Sequence, residues 1–307
     1  MTASERESKN SNGWAPRVGI NPIVWTNDDF HDLGDATSLD RCLAETHAAG
    51  FAGTELGRKF PREAAALRAA LTAHGLALVS GWHSLYLLEQ DVEAVWQGLR
   101  VHLDLLLALG TDIAIVAECT RRSYADPAAP LRFTRNGDAL TSRDWDRLTA
   151  GLDVLAARAA AQGMRLAYHH HMGTVVQTAG EVDRLMAETR SVGLLVDTGH
   201  LAFAGADPLA VLERHAQRVV HVHLKNVRPD VVQSAHQGGW SFSKAVRAGV
   251  FTVPGDGGID FAPILDRLRQ ARYRGWLVVE AEQDPSLAPP FQYASRARDY
   301  VRNVAGV

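Results

Sequence analysis

Short, almost continuously apolar runs recur along the chain, and a stretch with helical spacing follows each. The runs at 17–23, 51–56, 76–80, 112–117, 165–168, 193–196, 219–222 and 276–281 read as strands, too short for helices and bounded by turn residues. Helices are predicted over 38–49, 61–74, 91–109, 142–162, 181–189, 207–217, 260–272 and 291–304. Ser38 and Asp260 stand where an N-cap belongs, and Gly50, Gly75 and Gly110 where a helix ends.

Strict alternation of strand and helix predicts an α/β fold, a single (β/α)8 TIM barrel over residues 17–307, with residues 1–16 as a disordered tail. A doubly wound open sheet would carry a glycine fingerprint after its first strand, and Ile20-Asn21-Pro22-Ile23 is not one. Two connections, 120–139 and 226–254, exceed routine length, as lids and binding loops do; the second holds a short helix near 242–248.

Composition narrows the function. Charged residues make up 22% and the formal net charge is -3, so no positive field draws in nucleic acid or an anionic membrane. No apolar stretch is long enough to span a bilayer, and the polar start of the chain does not read as a signal peptide. Two distant cysteines, Cys42 and Cys119, fit reduced thiols in a cytoplasmic protein. Assembly as a homo-oligomer is compatible with the sequence.

Chemistry gathers where the strands end. Barrels of this kind act at the carboxyl ends of their strands, and here those ends offer Glu55, His83, Glu118, His169-His170-His171, Asp197 with His200, His223 with Lys225, and Glu280 with Glu282. Side chains alternate along a strand, so His221 and His223 share a face, as do Glu280 and Glu282, and as do His169 and His171. Carboxylates and imidazoles converging on one mouth suit a divalent ion such as Mn2+, Co2+, Fe2+ or Zn2+ better than Ca2+. The loop after the first strand adds Trp25 and Asn27. No GxSxG elbow or P-loop is present.

With these residues the chain resembles the xylose-isomerase-like TIM-barrel superfamily, and within it the inosose dehydratases, from about Val18 to Tyr300. The stretches GINPIVWTNDD, GTELG, LAYHHHMGT, VDTGHL, HVHLKN, FTVPGDGGIDF and WLVVEAEQD carry the likeness; HHHMGT, FTVPGDG and VVEAEQD point to the dehydratases. The resemblance implies one metal held by Asp197, His223 and Glu280. Where relatives end strand five in an acid this chain has His169, so the fourth ligand is His169, His171 or Glu282. It further implies Mn2+ or Co2+, a keto-inositol substrate, and a metal-assisted β-elimination that removes water from 2-keto-myo-inositol. The base would be Glu282, Glu118 or His200, and the acid Lys225 or His83, with Trp25, Asn27, Glu55 and His171 contacting substrate. A ketose isomerase or epimerase working through the same enediolate is the alternative. A DNA-repair nuclease would want a basic face, and a sugar-binding barrel would need no metal.

Overall fold

The computed structural model describes residues 14–124, 126–131 and 140–307. Eight parallel strands close into a barrel: β1 (Val18–Ile20), β2 (Gly53–Leu56), β3 (Ala77–Leu85), β4 (Ile113–Glu118), β5 (Arg165–His169), β6 (Gly193–Asp197), β7 (Val219–Leu224) and β10 (Leu277–Val279), with β10 pairing to both β7 and β1. The predicted (β/α)8 barrel is the fold observed.

Helices pack outside. They are α1 (Leu39–Ala48), α2 (Ala64–Ala73), α3 (Val92–Ala108), α4 (Ser142–Ala160), α5 (Ala179–Glu188), α6 (Thr198–Phe203), α7 (Pro208–His215), α8 (Pro229–Gly238), α9 (Phe242–Arg247), α10 (Phe261–Gln270) and α11 (Pro290–Ala305). Ser38 and Asp260 cap α1 and α10 as expected, by accepting from Arg41 N–H and Ala262 N–H. The helices that alternate with the strands lay their apolar stripes against the outward side chains of the strands, such as Ala114, Val116, Leu194 and Val222, in one large core. Inside the barrel, Ile113, Ile115, Ala167 and Leu195 form a layer, and Val79, Trp276 and Val278 another. Gly53 makes room for the second: a Cβ there would stand 2.9 Å from the Trp276 indole and 2.7 Å from the Ala77 carbonyl.

Several boundaries differ from the sequence reading. The first strand stops at Ile20, because Asn21 caps a 3-10 turn at Pro22–Val24. The third continues through Gly81 to Leu85. Two helices, α6 and α7, join β6 to β7 where one was predicted. The loop at 226–254 is a small unit built from α8, α9 and the antiparallel pair of β8 (Asn226–Val227) with β9 (Phe251–Thr252), which brackets both helices. Its Phe242, Val246 and Phe251 join Phe30, Tyr124 and Met172 in a separate apolar cluster over the mouth. Residues 1–13 of the expected tail, and 132–139 of the other long loop, lie outside the described residues. Trp14 is no tail residue, since it is buried and donates from Nε1 to the Tyr273 carbonyl. Among the described residues no helix is long and apolar enough to cross a membrane.

Candidate active site

The carboxyl ends of the strands surround a cavity of about 440 Å3 lined by Glu55, Trp82, His169, His171, His223, Glu280 and Glu282 among others. At its floor His169, Asp197, His223 and Glu280, from β5, β6, β7 and just beyond β10, each bring one donor atom within 4.8 Å of the other three. All four are buried. Asp197 shows how local structure aims such a group. Its Oδ1 accepts from His200 N–H and caps α6, which turns Oδ2 toward the mouth. The neighbouring His170, on the opposite face of the strand, accepts from Asp197 N–H through Nε2, so the middle histidine of the three is structural.

Glu55 sits behind this group. Its Oε1 accepts from Ser80 Oγ at 2.5 Å, His221 Nε2 at 2.8 Å and His223 Nε2 at 3.2 Å, while Oε2 accepts from Asn21 Nδ2 at 2.7 Å. Burial opposes its charge, but His223 and His221 outweigh burial and hold the carboxyl well below its usual range. With Nε2 donating to Glu55, His223 turns Nδ1 to Asp197 Oδ2 at 3.4 Å and Glu280 Oε2 at 3.0 Å. Asn21 also donates to Glu280 Oε2 at 2.8 Å, which ties β1 to both carboxylates.

These residues fit a metal ion. Asp197 Oδ2 and His223 Nδ1 are buried without a hydrogen bond although they face each other, and such orphans in a native interior call for an ion or a ligand. Two imidazoles and two carboxylates suit a divalent cation of intermediate hardness. Burial pushes His169 down to about 4, so it stays neutral and able to ligate. Burial opposes a charge on His223 too, but Glu280 and Glu55 raise it well above the usual imidazole range, so a proton and a cation compete for this ring.

Beside the tetrad lies Lys225, fully buried, with Nζ 2.6 Å from Glu280 Oε1, 2.6 Å from Glu282 Oε2 and 3.3 Å from Asp197 Oδ2. Burial works against the ammonium, and the three carboxylates more than compensate, raising its pKa. Lys225 in turn outweighs burial at Glu282 and holds that carboxyl well below normal. Its ammonium also rests 4.7 Å from the centre of the Phe251 ring. His200, kept neutral by burial, His171 and Lys225, is fully buried behind this group: its Nδ1 accepts from Met172 N–H, and Nε2 stands 2.9 Å from Lys225 Nζ and 3.5 Å from Glu282 Oε1.

Four predicted site residues stand elsewhere. His83 lies between the inward-facing Trp82 and Ser84, so its ring turns outward against His102 of α3. Glu118 has the outward phase of Ala114 and Val116; its carboxylate accepts from Leu87 N–H and Thr120 N–H. Trp25 is packed in the outer core with Nε1 donating to Glu45 at 2.6 Å. Asn27 shapes its own loop by accepting from Asp29 and Phe30 N–H. Glu55 does line the cavity, but its hydrogen bonds go to protein groups. Asn21, Trp82, Arg122 and Tyr124 line or brace the mouth, and the sequence reading does not single them out. For Asn21 a signal existed: an Asn-Pro pair at a strand end marks a turn in which the Asn side chain caps the next few residues.

Comparison with known proteins places the chain in a family. The model of the xylose isomerase-like TIM barrel family matches residues 43–304. The rhizopine catabolism protein MocC of Rhizobium meliloti is 48% identical over 94% of this chain and 88% of its own length. The inosose dehydratase of Geobacillus thermodenitrificans is 45% identical over 95% of this chain and 98% of its own. Two solved structures share the fold. One is an L-ribulose 3-epimerase (TM-score 0.64, 20% identity, 95% of each chain). The other is the probable 3-DHS dehydratase AsbF from Bacillus anthracis (TM-score 0.66, 14% identity, 94% of this chain and 99% of that one). Matched by the family model over most of its length, and by inosose dehydratases over 95% of it, the chain belongs to the xylose isomerase-like TIM barrel family.

Proposed function

We propose that the protein is a metal-dependent hydro-lyase of inositol catabolism, removing water from a keto-inositol of the 2-keto-myo-inositol type. His169, Asp197, His223 and Glu280 would hold the ion, with Mn2+ or Co2+ the best match to their nitrogen and oxygen donors. When bound, such an ion supplies Lewis acidity to the ketone of the substrate.

The observation that carries the reading is the buried Glu282–Lys225 pair at 2.6 Å beside the four donor atoms. Elimination needs a base for the α-proton and an acid for the departing hydroxyl. Glu282, held ionised by Lys225, takes the α-proton; Lys225, held charged by three carboxylates, protonates the hydroxyl as it leaves as water. The proton on Glu282 then passes directly to Lys225 Nζ, and both groups are restored. An epimerase would instead need two proton-transfer groups on opposite sides of one carbon. The full-length similarity to inosose dehydratases supports the same choice. A cytoplasmic setting follows from this metabolic role and from two buried free thiols, Cys42 and Cys119.

The test is metal analysis of purified protein, then incubation of the Mn2+-loaded enzyme with 2-keto-myo-inositol while the absorbance of an unsaturated diketone is followed. Product appearance that stops with Glu282→Gln is the expected result. Turnover of ketoses with no diketone formed would assign the site to isomerisation.

A further inference from the structure

We propose that Thr252 is a positioning residue for Glu282, acting through Gln283; the proposal rests on the reading of Glu282 as the base. The segment that carries Glu282 has little main-chain support. Strand β10 ends at Val279, and Glu280 N–H reaches the Leu224 carbonyl at 3.4 Å. Among the described residues the main chain of Ala281, Glu282 and Gln283 makes no hydrogen bond to other main-chain groups. Side chains therefore place the carboxylate. Lys225 holds Glu282 itself, at 2.6 Å. The next residue, Gln283, is buried, and its one hydrogen bond among the described residues is a long one, from Nε2 to Thr252 Oγ1 at 3.4 Å.

Thr252 is fully buried, and its hydroxyl is saturated. A hydroxyl has one proton to give and two lone pairs to offer. Here the proton goes to Asp256 Oδ2 at 2.7 Å, and the lone pairs face Arg228 at 3.1 Å and Gln283. Asp256 is itself paired with Arg228 and Arg296, and Arg228 donates to the carbonyls of Gly249 and Phe251 at 2.7 and 3.3 Å. Thr252 is thus anchored before it meets Gln283. Side chains alternate along β9, so Phe251 turns the other way, and its ring centre lies 4.7 Å from the Lys225 ammonium. Two adjacent residues of β9 therefore touch both members of the proton-transferring pair, one directly and one through Gln283. Two stretches that carry the likeness to the dehydratases, FTVPGDG and VVEAEQD, meet at the Thr252–Gln283 bond.

The experiment compares Mn2+-loaded wild type with Thr252→Val, which is close in shape but lacks the hydroxyl, Thr252→Ser, which keeps it, and Gln283→Met. In the valine and methionine variants kcat for 2-keto-myo-inositol should fall about tenfold, as it does when a reacting group is misplaced. KM should stay within about twofold and the serine variant within about threefold of wild-type kcat, because the four candidate ligands and the hydroxyl bond are respectively retained. The double variant Thr252→Val/Gln283→Met should lose no more than the worse single, since both break one bond. An unchanged kcat in Thr252→Val, a loss carried by KM, losses that multiply in the double variant, or a serine variant as slow as the valine one overturns the proposal. If the valine variant does not fold, Thr252→Ala takes its place in every comparison. Crystal structures read the placement without turnover: Glu282 should leave Lys225 in Thr252→Val, and an unmoved carboxylate overturns the proposal. A wild type that turns over ketoses and forms no diketone sinks the dehydratase reading alone, because isomerisation draws on the same α-proton and the variants are then compared on the ketose.

Discussion

The side-chain stem of Lys225 passes through the space that a Cβ on Gly199 would occupy. That carbon would lie 2.4 Å from Lys225 Cγ, 2.6 Å from Cδ and 2.8 Å from Cβ. Gly199 belongs to α6, directly after the Asp197 cap, and both residues are buried. Thr198 grips the same strand end, donating from Oγ1 to the Lys225 carbonyl at 2.6 Å and accepting from its N–H at 3.1 Å. The segment Asp197-Thr198-Gly199-His200 thus supplies in four residues a candidate ligand, a clamp, a gap for the lysine and an imidazole against its ammonium.

Gly199→Ala tests this relationship with opposing signs. Helix propensity alone would stabilise the variant by up to about 1 kcal/mol. The clash with Lys225 should instead destabilise it by about 1–3 kcal/mol, as overpacking does. Turnover should fall with it, because Nζ would leave its position 2.6 Å from both Glu280 and Glu282. In a Lys225→Ala background, which removes the two closest carbons but keeps Cβ at 2.8 Å, the same substitution should cost markedly less. Equal effects of Gly199→Ala in both backgrounds, measured by urea unfolding, would rule out the steric explanation.

Glu55 holds His223 by accepting from its Nε2, so Glu55→Gln should leave all four candidate ligands in place while weakening binding of the ion. An amide keeps one oxygen only, so its NH2 meets a donor whichever way it turns: Ser80 and the two histidine Nε2 atoms on one side, or Asn21 Nδ2 on the other. Loss of such supporting partners costs about 10- to 100-fold in metal affinity. Competition with a fluorescent chelator measures it, and unchanged affinity would mean that His223 holds its orientation unaided.

How much of this was legible in the chain depends on phase. Asp197, His223 and Glu280 were readable because each ends or closely follows an apolar run and is followed by another polar group of the mouth. The outward His170 was readable from alternation alone. His83 misled because Gly81 looked like the end of the third strand, whereas the strand runs on to Leu85 and puts Trp82 and Ser84 inside. Glu118 misled by its face and not by its strand end, since it continues the outward phase of Val116. The Asn-Pro turn hinted at the cap made by Asn21, but the long-range bonds of Glu55 and Asn21 were invisible: these partners lie 166 and 259 residues away in the chain, at His221 and Glu280, and only barrel closure brings them together.

The two oxygens of Asp197 allow the proposed ligand role to be separated from folding. Asp197→Asn can keep the cap on His200 N–H through Oδ1, but presents an amide nitrogen where Oδ2 faced His223 and His169. Asp197→Ala loses both functions, and loss of the cap alone costs about 1 kcal/mol. Metal content should drop to background in both variants, with only the alanine variant clearly less stable than the metal-free wild type. Saturating Mn2+ should raise wild-type stability by about 4 kcal/mol at a thousandfold excess over Kd, and should not move the melting point of Asp197→Asn. A melting point that rises equally in both would place the ion elsewhere.

Acid sensitivity should come in part from the outer face of β3. Burial pushes His83 down to about 4, and the facing His102, itself lowered by burial, adds to the effect. In the unfolded chain the same ring titrates near 6.5. Between these values the unfolded state binds the extra proton, so the folded state loses stability as pH falls from 6.5 toward 4 and loses nothing from this source above 6.5. The full shift would be worth roughly 3 kcal/mol; because the ring is only half-buried, about 1 kcal/mol is expected between pH 7 and pH 5. His83→Gln should therefore flatten the stability profile by that amount over this interval, measured by urea unfolding of metal-free protein. Turnover of the loaded variant at pH 7 should stay within about twofold of wild type, since a surface-facing change away from the chemistry costs little. A large loss of turnover with an unaltered stability profile would restore His83 as a candidate proton donor, against its outward direction in the barrel.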